Sequence, residues 1–358
     1  MKTIVLTGGG TAGHVTPNIA LLPYLKKEGF NVYYIGSENG MEREIVARYG
    51  IEYYPVSSGK LRRYFDTKNF SDIFRVIKGI FQAKKIIKKL KPDIVFSKGG
   101  FVAVPVVIGA KMNGVPVVCH ESDMTPGLAN KLAMPFAKAV CTTFPETAKL
   151  IKGGKGVHTG TPIRDVLFKG DKSRGLEMCA FFDNKPVILV MGGSQGSVAV
   201  NGTIRDILDK LLEKYNVIHL CGKGNLDRSL EQKRGYCQFE YISKELPDLF
   251  AASDLIVTRA GSNAICEFLA LKKPMLLVPL PLSVSRGDQI LNAKNYKKAG
   301  FADVIFEEEI TQEAMLEKIN DLYTKKEEYI ERMSASAASK GTENVLKVIK
   351  SYTEEKQK

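Results

Sequence analysis

Tryptophan is absent from the 358 residues, and histidine occurs four times, too dispersed for a metal cluster. The six cysteines, at 119, 141, 179, 221, 237 and 266, form no C-x-x-C pair. That spacing argues against a zinc site or a disulfide frame and for reduced thiols in a cytosol. No apolar run reaches the roughly 20 residues that a spanning helix needs. The longest, near Phe101–Ala110, is interrupted by Pro105. No charged leader and apolar stretch precede the first candidate strand, so no secretion signal is expected. Nor is there an Asp-x-Asp anywhere; a metal clamp of that kind is unsupported, and no metal or other cofactor is expected.

What is present is an ordinary globular composition, 44% hydrophobic and 25% charged, in a chain long enough for two domains. Lys and Arg exceed Asp and Glu by 52 to 39, a net charge of +13. Such an excess fits nucleic acid, an anionic membrane or a polyanionic substrate. No nucleic-acid-binding signature accompanies it, and the aromatics are not interleaved with the lysines as a base-stacking platform requires. Nucleic acid is therefore not expected; a membrane surface and a diphosphate are.

Strands and helices alternate. Candidate strands in the first half are Thr3–Thr7, Val32–Ile35, Tyr53–Val56, Ile94–Ser97, Val115–Cys119 and Val140–Thr143. Those in the second are Pro186–Met191, Val217–Leu220, Phe239–Ile242, Leu255–Val257 and Met275–Val278. Alternation of this kind predicts mostly parallel sheets with helices on both faces. Binding sites then lie beyond the carboxyl ends of strands. The first strand runs into Thr7-Gly8-Gly9-Gly10-Thr11-Ala12-Gly13-His14. These letters also fit G-x-G-x-x-G through Gly8, Gly10 and Gly13, with Glu38 as a ribose acid, so an NAD-dependent oxidoreductase is one alternative. A charged segment, Lys169–Lys185, reads as a linker, after which a fresh strand enters Gly192-Gly193-Ser194-Gln195-Gly196-Ser197. The halves begin alike, which predicts two Rossmann-like domains facing across a cleft.

The densest chemistry falls between Ser253 and Asn292. A buried strand leads to Thr258-Arg259-Ala260-Gly261, and Ser262 and Asn263 can cap a helix over about 264–271. A helix start favours an anion, and Arg259 adds a charge in a form that suits phosphate. Glu267, about a turn further on, can accept two hydrogen bonds from a ribose diol. Asp288, Gln289 and Asn292 open another helix and suit the hydroxyls and amide of a sugar. The stretch reads as a sugar-nucleotide site, with an ordinary α/β unit carrying a structural Glu and Arg as the plainer alternative.

A long helix is predicted over about 70–90. Its apolar residues cover roughly 200° of the wheel, wider than the ~100° that one core-facing stripe needs. Val76, Ile80, Ala83 and Ile87 form one inner face. Phe70, Phe74, Ile77 and Phe81 lie to one side, with Lys78, Lys85 and Lys88 nearby. They make either a second core contact or a patch for an anionic membrane surface.

The pattern Arg259-x-Gly261-Ser262-x-x-x-x-Glu267, followed by Asp288-Gln289-x-x-Asn292, resembles the donor half of GT-B glycosyltransferases. Within them it is most similar to the bacterial cell-wall N-acetylglucosaminyltransferases that act on undecaprenyl-diphospho-muramoyl-pentapeptide. The glycine-rich loops after the first strand, at Ser97-Lys98-Gly99-Gly100 and at Gly192–Ser197 resemble that family's three in order. Two departures stand out. Ala12 replaces a usual glycine, and His120-Glu121 is followed by Ser122-Asp123 where the family often has Gln-Asn.

The resemblance implies an α/β GT-B fold, with an acceptor and membrane-facing domain over 1–163 plus about 336–358. A donor domain would span 164–335. It implies inverting transfer of N-acetylglucosamine from UDP-N-acetylglucosamine to the C4 hydroxyl of the lipid-linked muramoyl-pentapeptide, on the cytoplasmic face of the cell membrane. His14 is the expected base and Glu121 the second candidate. Donor contacts are expected from Thr11, Gly13, Arg164, Ser194, Gln195, Gly196, Arg259, Gly261, Ser262, Asn263, Glu267, Asp288, Gln289 and Asn292. Acceptor contacts are expected from Gly99, Gly100, His120 and Asn130, with a satisfied structural histidine as the plainer alternative for His120. Rival readings are another lipid-directed UDP-sugar transferase, a UDP-N-acetylglucosamine 2-epimerase, and a non-catalytic nucleotide-sugar sensor.

Overall fold

The computed structural model describes residues 2–59, 68–193, 195–336 and 340–354, with side chains from residue 72 onward in the second stretch. The chain forms two compact units, Met1–Arg164 with Lys340–Lys358, and Asp165–Ser339.

The first unit opens with β1 (Lys2–Thr7), α1 (Thr16–Lys27), β2 (Phe30–Ser37), α2 (Met41–Ala47) and β3 (Glu52–Val56). Next come α3 (Lys68–Leu90), β4 (Ile94–Ser97), α4 (Ala103–Met112), β5 (Val117–Glu121) and α5 (Leu128–Ala133). It closes with β6 (Ala139–Thr142), α6 (Pro145–Leu150) and β7 (Gly156–His158). All seven strands are parallel, in the order β3-β2-β1-β4-β5-β6-β7. Strands such as Ile4–Leu6 and Ile94–Phe96 are apolar on both faces because helices cover both.

The second unit runs α7 (Lys172–Met178), β8 (Val187–Met191), α8 (Val198–Asp206), α9 (Leu208–Lys214), β9 (Asn216–Leu220) and β10 (Tyr236–Phe239). Then follow α10 (Leu246–Ala252), β11 (Leu255–Thr258), α11 (Ser262–Ala270), β12 (Met275–Leu277) and α12 (Asp288–Lys298). β13 (Ala302–Val304), α13 (Gln312–Thr324) and α14 (Lys326–Ser334) complete it. Its six strands are parallel in the order β10-β9-β8-β11-β12-β13. In each sheet the order reverses once, between β1 and β4 and between β8 and β11. A crevice opens beyond the carboxyl ends of the two strands flanking such a reversal. Every glycine-rich turn singled out in the sequence follows one of those four strands.

The last helix, α15 (Gly341–Glu354), belongs to the first unit. Val345, Leu346 and Ile349 enter the core made by Ile4, Leu21, Leu25 and Phe96. Thr342 Oγ1 accepts from Ile163 N at 2.9 Å, and Asn344 donates to Thr159 O at 3.0 Å.

Several sequence expectations need correction. The segment 169–185 is no linker: α7 docks on α10, with Gly170 and Gly175 leaving room for the backbone at Pro247 and Asp248. Arg174 forks onto Asp248 at 2.9 and 3.1 Å. β10 lies three residues earlier than expected, since Tyr236, not Ile242, is the buried member, paired with Val217. β5 starts two residues later than expected. Strands β7 and β13 were not expected, because three-residue edge strands carry too little pattern to read.

Candidate functional site

The second unit holds a cavity of about 370 Å³ at its strand-order reversal. Gly192, Gly193, Gln195 and Gly196 line it beyond β8, Thr258, Arg259, Gly261 and Ala264 beyond β11, and Leu280 and Gln289 close it. The turn after β8 must be glycine-rich. Gly196 has φ +78, and a Cβ there would collide with the Cys221 carbonyl. Ser197 then caps α8, accepting from Val200 N at 3.3 Å. Ser194, assigned to the donor, lies outside the described residues.

Arg259 differs from expectation. It is 9% exposed, and its Nη atoms are already engaged. Nη1 donates to Val278 O at 3.1 Å and Pro279 O at 3.3 Å. Nη2 reaches Ser197 Oγ at 2.7 Å and the Glu307 carboxylate at 2.6 Å. The guanidinium thus ties β11, the loop after β12 and the capping serine of α8 together, with its charge balanced by Glu307. It builds one wall of the cavity, and the donors that the turn itself can offer there are backbone N–H groups.

Ser262 is the first residue of α11, not its cap. Gly261 occupies the cap position with no side-chain bond. Asn263 and Glu267 are half-buried and four residues apart, flanking the cavity-lining Ala264 on one helix face. On α12, Gln289 lines the cavity and its Oε1 accepts from Leu280 N at 3.2 Å. Asp288 stands 3.9 Å from Arg286. Asn292 is wholly buried and donates to Ala260 O at 3.2 Å, so it holds the turn after β11 instead of facing a sugar.

In the first unit, His14 ends a short 3-10 turn, Ala12–His14, that leads into α1. Nδ1 lies 3.2 Å from the Lys98 carbonyl. A carbonyl can only accept, so Nδ1 carries the proton and Nε2 keeps its lone pair. Burial, then the nearby Lys98 cation, pull the imidazole down to about 4, against opposing pushes from the Lys98 carbonyl, Asp123 and Glu42. The ring is thus neutral at pH 7 and a weaker base than an ordinary histidine. Thr11 is exposed and Gly13 half-buried beside it. Arg164 is half-buried where the chain leaves this unit for the second.

Glu121 is not an open base. Its carboxylate accepts from Asp123 N and Gly127 N at 3.0 Å and from Asn130 Nδ2 at 2.8 Å, which braces the 122–127 loop. Burial raises its pKa. His120 is likewise internal, wholly buried with Nε2 donating to Gly160 O at 2.9 Å, and burial holds it far below its ordinary value. Asn130 spends its amide on His120 O and Glu121. These residues shape the loop and do not present themselves to an acceptor. Gly99 and Gly100 form the turn after β4, and Gly100 packs so tightly on the Gly9 carbonyl that a Cβ would not fit.

Two residues carry weight that the sequence reading did not assign. Lys98 is 1% exposed, and its ammonium meets the Ser122 hydroxyl. Glu42 is wholly buried against the first glycine turn. For Lys98 the signal available was a single charge inside an apolar and glycine-rich context, which spacing rules do not score; Glu42 lies in a charged run, Met41-Glu42-Arg43-Glu44, and gave none.

On α3, Ala83 and Ile87 are in the core, while Phe74 is 72% exposed and Phe81 61%. Ile77, Lys78, Lys85 and Lys88 are exposed with them. The side chain of Phe70 lies outside the described residues. Among the described residues no helix is long and apolar enough to cross a membrane.

Residues 4–142 match the glycosyltransferase family 28 N-terminal domain, and residues 187–349 the family 28 C-terminal domain. A protein of Clostridium botulinum (strain 657 / Type Ba4) is 60% identical over 353 residues, covering 99% of this chain and 100% of the relative. One of Clostridium tetani is 57% identical over 351 residues, 98% of each. Both carry the name UDP-N-acetylglucosamine–N-acetylmuramyl-(pentapeptide) pyrophosphoryl-undecaprenol N-acetylglucosamine transferase. Among solved structures, Acinetobacter baumannii MurG superposes with a TM-score of 0.74 at 24% identity, over 98% of this chain and 100% of that one. The S. aureus MnaA–UDP co-structure superposes with a TM-score of 0.68 at 17% identity, over 98% and 97%.

Proposed function

Because the chain belongs to glycosyltransferase family 28, we propose that it carries out the reaction for which its relatives are named. It transfers N-acetylglucosamine from UDP-N-acetylglucosamine to the lipid-linked muramoyl-pentapeptide, in peptidoglycan synthesis. The observation that carries the donor side is the cavity at the β8–β11 reversal, walled by a glycine turn and by the start of α11.

The turn over 192–197 offers backbone N–H groups to the diphosphate, and the N-terminal end of α8 adds its dipole. Both favour the charge that grows on departing UDP more than the charge already on bound donor. No Asp-x-Asp occurs in the sequence, so the mechanism assigns this task to the chain's own groups. Glu267 accepts the ribose hydroxyls, and Gln289 reads the sugar. His14 takes the proton of the attacking C4 hydroxyl on Nε2, and the anomeric centre inverts in one displacement. A base whose pKa rests near 4 needs help, and the approach of a diphosphate-bearing acceptor supplies it by raising the imidazole's proton affinity.

The exposed Phe74, Ile77 and Phe81 with Lys78, Lys85 and Lys88 support attachment to an anionic membrane surface, where such an acceptor resides. The test is purified protein with labelled UDP-N-acetylglucosamine and the lipid acceptor in vesicles. Labelled lipid product is expected. Donor binding without transfer would instead mark a nucleotide-sugar sensor.

A further inference from the structure

A glycine turn between a first strand and its following helix is a ready seat for an anion, because its N–H groups converge there. In the first unit one N–H of that seat, Gly10 N, is already engaged from inside. Glu42, on α2, is wholly buried. Its Oε2 accepts from Gly10 N at 3.2 Å, and its Oε1 from Ser37 N at 3.0 Å and from the Ser37 hydroxyl. The surroundings are cleared for it. A Cβ on Gly9 would stand 2.5 Å from the Glu42 carboxyl carbon, and Gly40 has no room for one either. Tyr34 secures the same turn from below, its hydroxyl donating to Gly8 O at 2.6 Å. Beyond Gly10, His14 N donates to Thr11 O at 3.1 Å, and the chain arrives at the imidazole. On the other side, Gly100 rests on the Gly9 carbonyl.

We propose that Glu42 is a positioning residue for the transfer: its carboxylate stands in for a bound anion in the first glycine turn and fixes the loop that presents His14. That N–H of the turn is thereby closed to an incoming anion. A buried carboxylate accepting three hydrogen bonds holds backbone more firmly than neutral groups would, since charge-assisted bonds are about twice as strong. The proposal rests on the assignment of His14 as base, and its test separates the two.

Glu42→Ala empties the seat but leaves its donors in place. It is expected to lower kcat by up to about 10²-fold, the effect of a misplaced catalytic group, with UDP affinity unchanged within about twofold. Sodium formate, compared with sodium chloride at equal ionic strength, should then restore at least about tenfold of the loss, because formate supplies the missing carboxylate. A folded Glu42→Ala variant with parental kcat, or one that formate does not restore, overturns the proposal. If that variant fails to fold, Glu42→Gln decides. Its volume is preserved, but its amide sets a donor against the N–H of Gly10 or Ser37. A thermal midpoint near the parent's with clearly reduced kcat is expected, and parental kcat overturns the idea. Loss of less than about tenfold in His14→Ala would refute the base assignment alone, whatever formate does to Glu42→Ala.

Discussion

Nδ1 of His14 donates to the backbone carbonyl of Lys98 at 3.2 Å, while the side chain of the same lysine runs inward to Ser122. One residue thus fixes the tautomer of the candidate base through its backbone and depresses its basicity through its charge. The two effects are separable by mutation.

Lys98→Met keeps the backbone acceptor and removes the cation. The Lys98 charge lowers the His14 pKa, so its loss raises that pKa. Activity needs the neutral imidazole and falls below the pKa. The acid limb of the kcat/KM profile should therefore move to higher pH, and an NMR titration of the His14 ring should move with it. An unmoved limb would show that Lys98 does not act on the base. His14→Ala is expected to cost about 10²-fold or more in kcat.

For Arg259 the expected effect is first on stability. Arg259→Ala leaves Glu307 without its cation and removes the bonds to Ser197, Val278 and Pro279. The cost should be about 3 kcal/mol, at the low end for breaking a buried pair, read from urea unfolding. Arg259→Lys should lose nearly as much, since an ammonium cannot reproduce the planar fork. A lysine variant of parental stability that no longer binds UDP would instead make Arg259 a direct phosphate ligand.

Glu267→Ala should weaken UDP binding by roughly 1–3 kcal/mol, the worth of hydrogen bonds to a charged group, as calorimetry would show. Gln289→Ala should spare UDP and blunt discrimination between donor sugars. Retained discrimination would remove Gln289 from the sugar site.

Phe74→Glu with Phe81→Glu should reduce binding to anionic vesicles by at least about tenfold, because burying one such side chain is worth about 1.5–3 kcal/mol. Sedimentation with vesicles measures it, and an unchanged circular dichroism spectrum confirms that the helix survives. Unaltered vesicle binding would leave α3 with no membrane role.

The sequence made the two-sheet plan readable because continuous apolar runs and glycine turns are local signals. Leu255–Val257 and Ile94–Ser97 announce buried strands on their own. The wiring of the candidate site is not local. Arg259 and Ser197 are 62 positions apart, His14 and Lys98 are 84, and Gly10 and Glu42 are 32. Nothing in the spacing of Gly8, Gly10 and Gly13 shows that an acidic side chain from α2 sits on the Gly10 N–H. The same letters fit an NAD fingerprint for that reason. His120 and Asn130 show the opposite case: polar residues near a strand end look like site residues, and only their buried partners favour the structural alternative for His120.

The position of α15 bears on synthesis. The first unit's core waits for Val345, Leu346 and Ile349, which are made only after the whole of the second unit. The middle of the chain has its own sheet and core, and can consolidate while the N-terminal sheet still lacks a helix. Truncation ahead of Gly341 would therefore injure the sheet of residues 2–158 and not the unit that immediately precedes the cut.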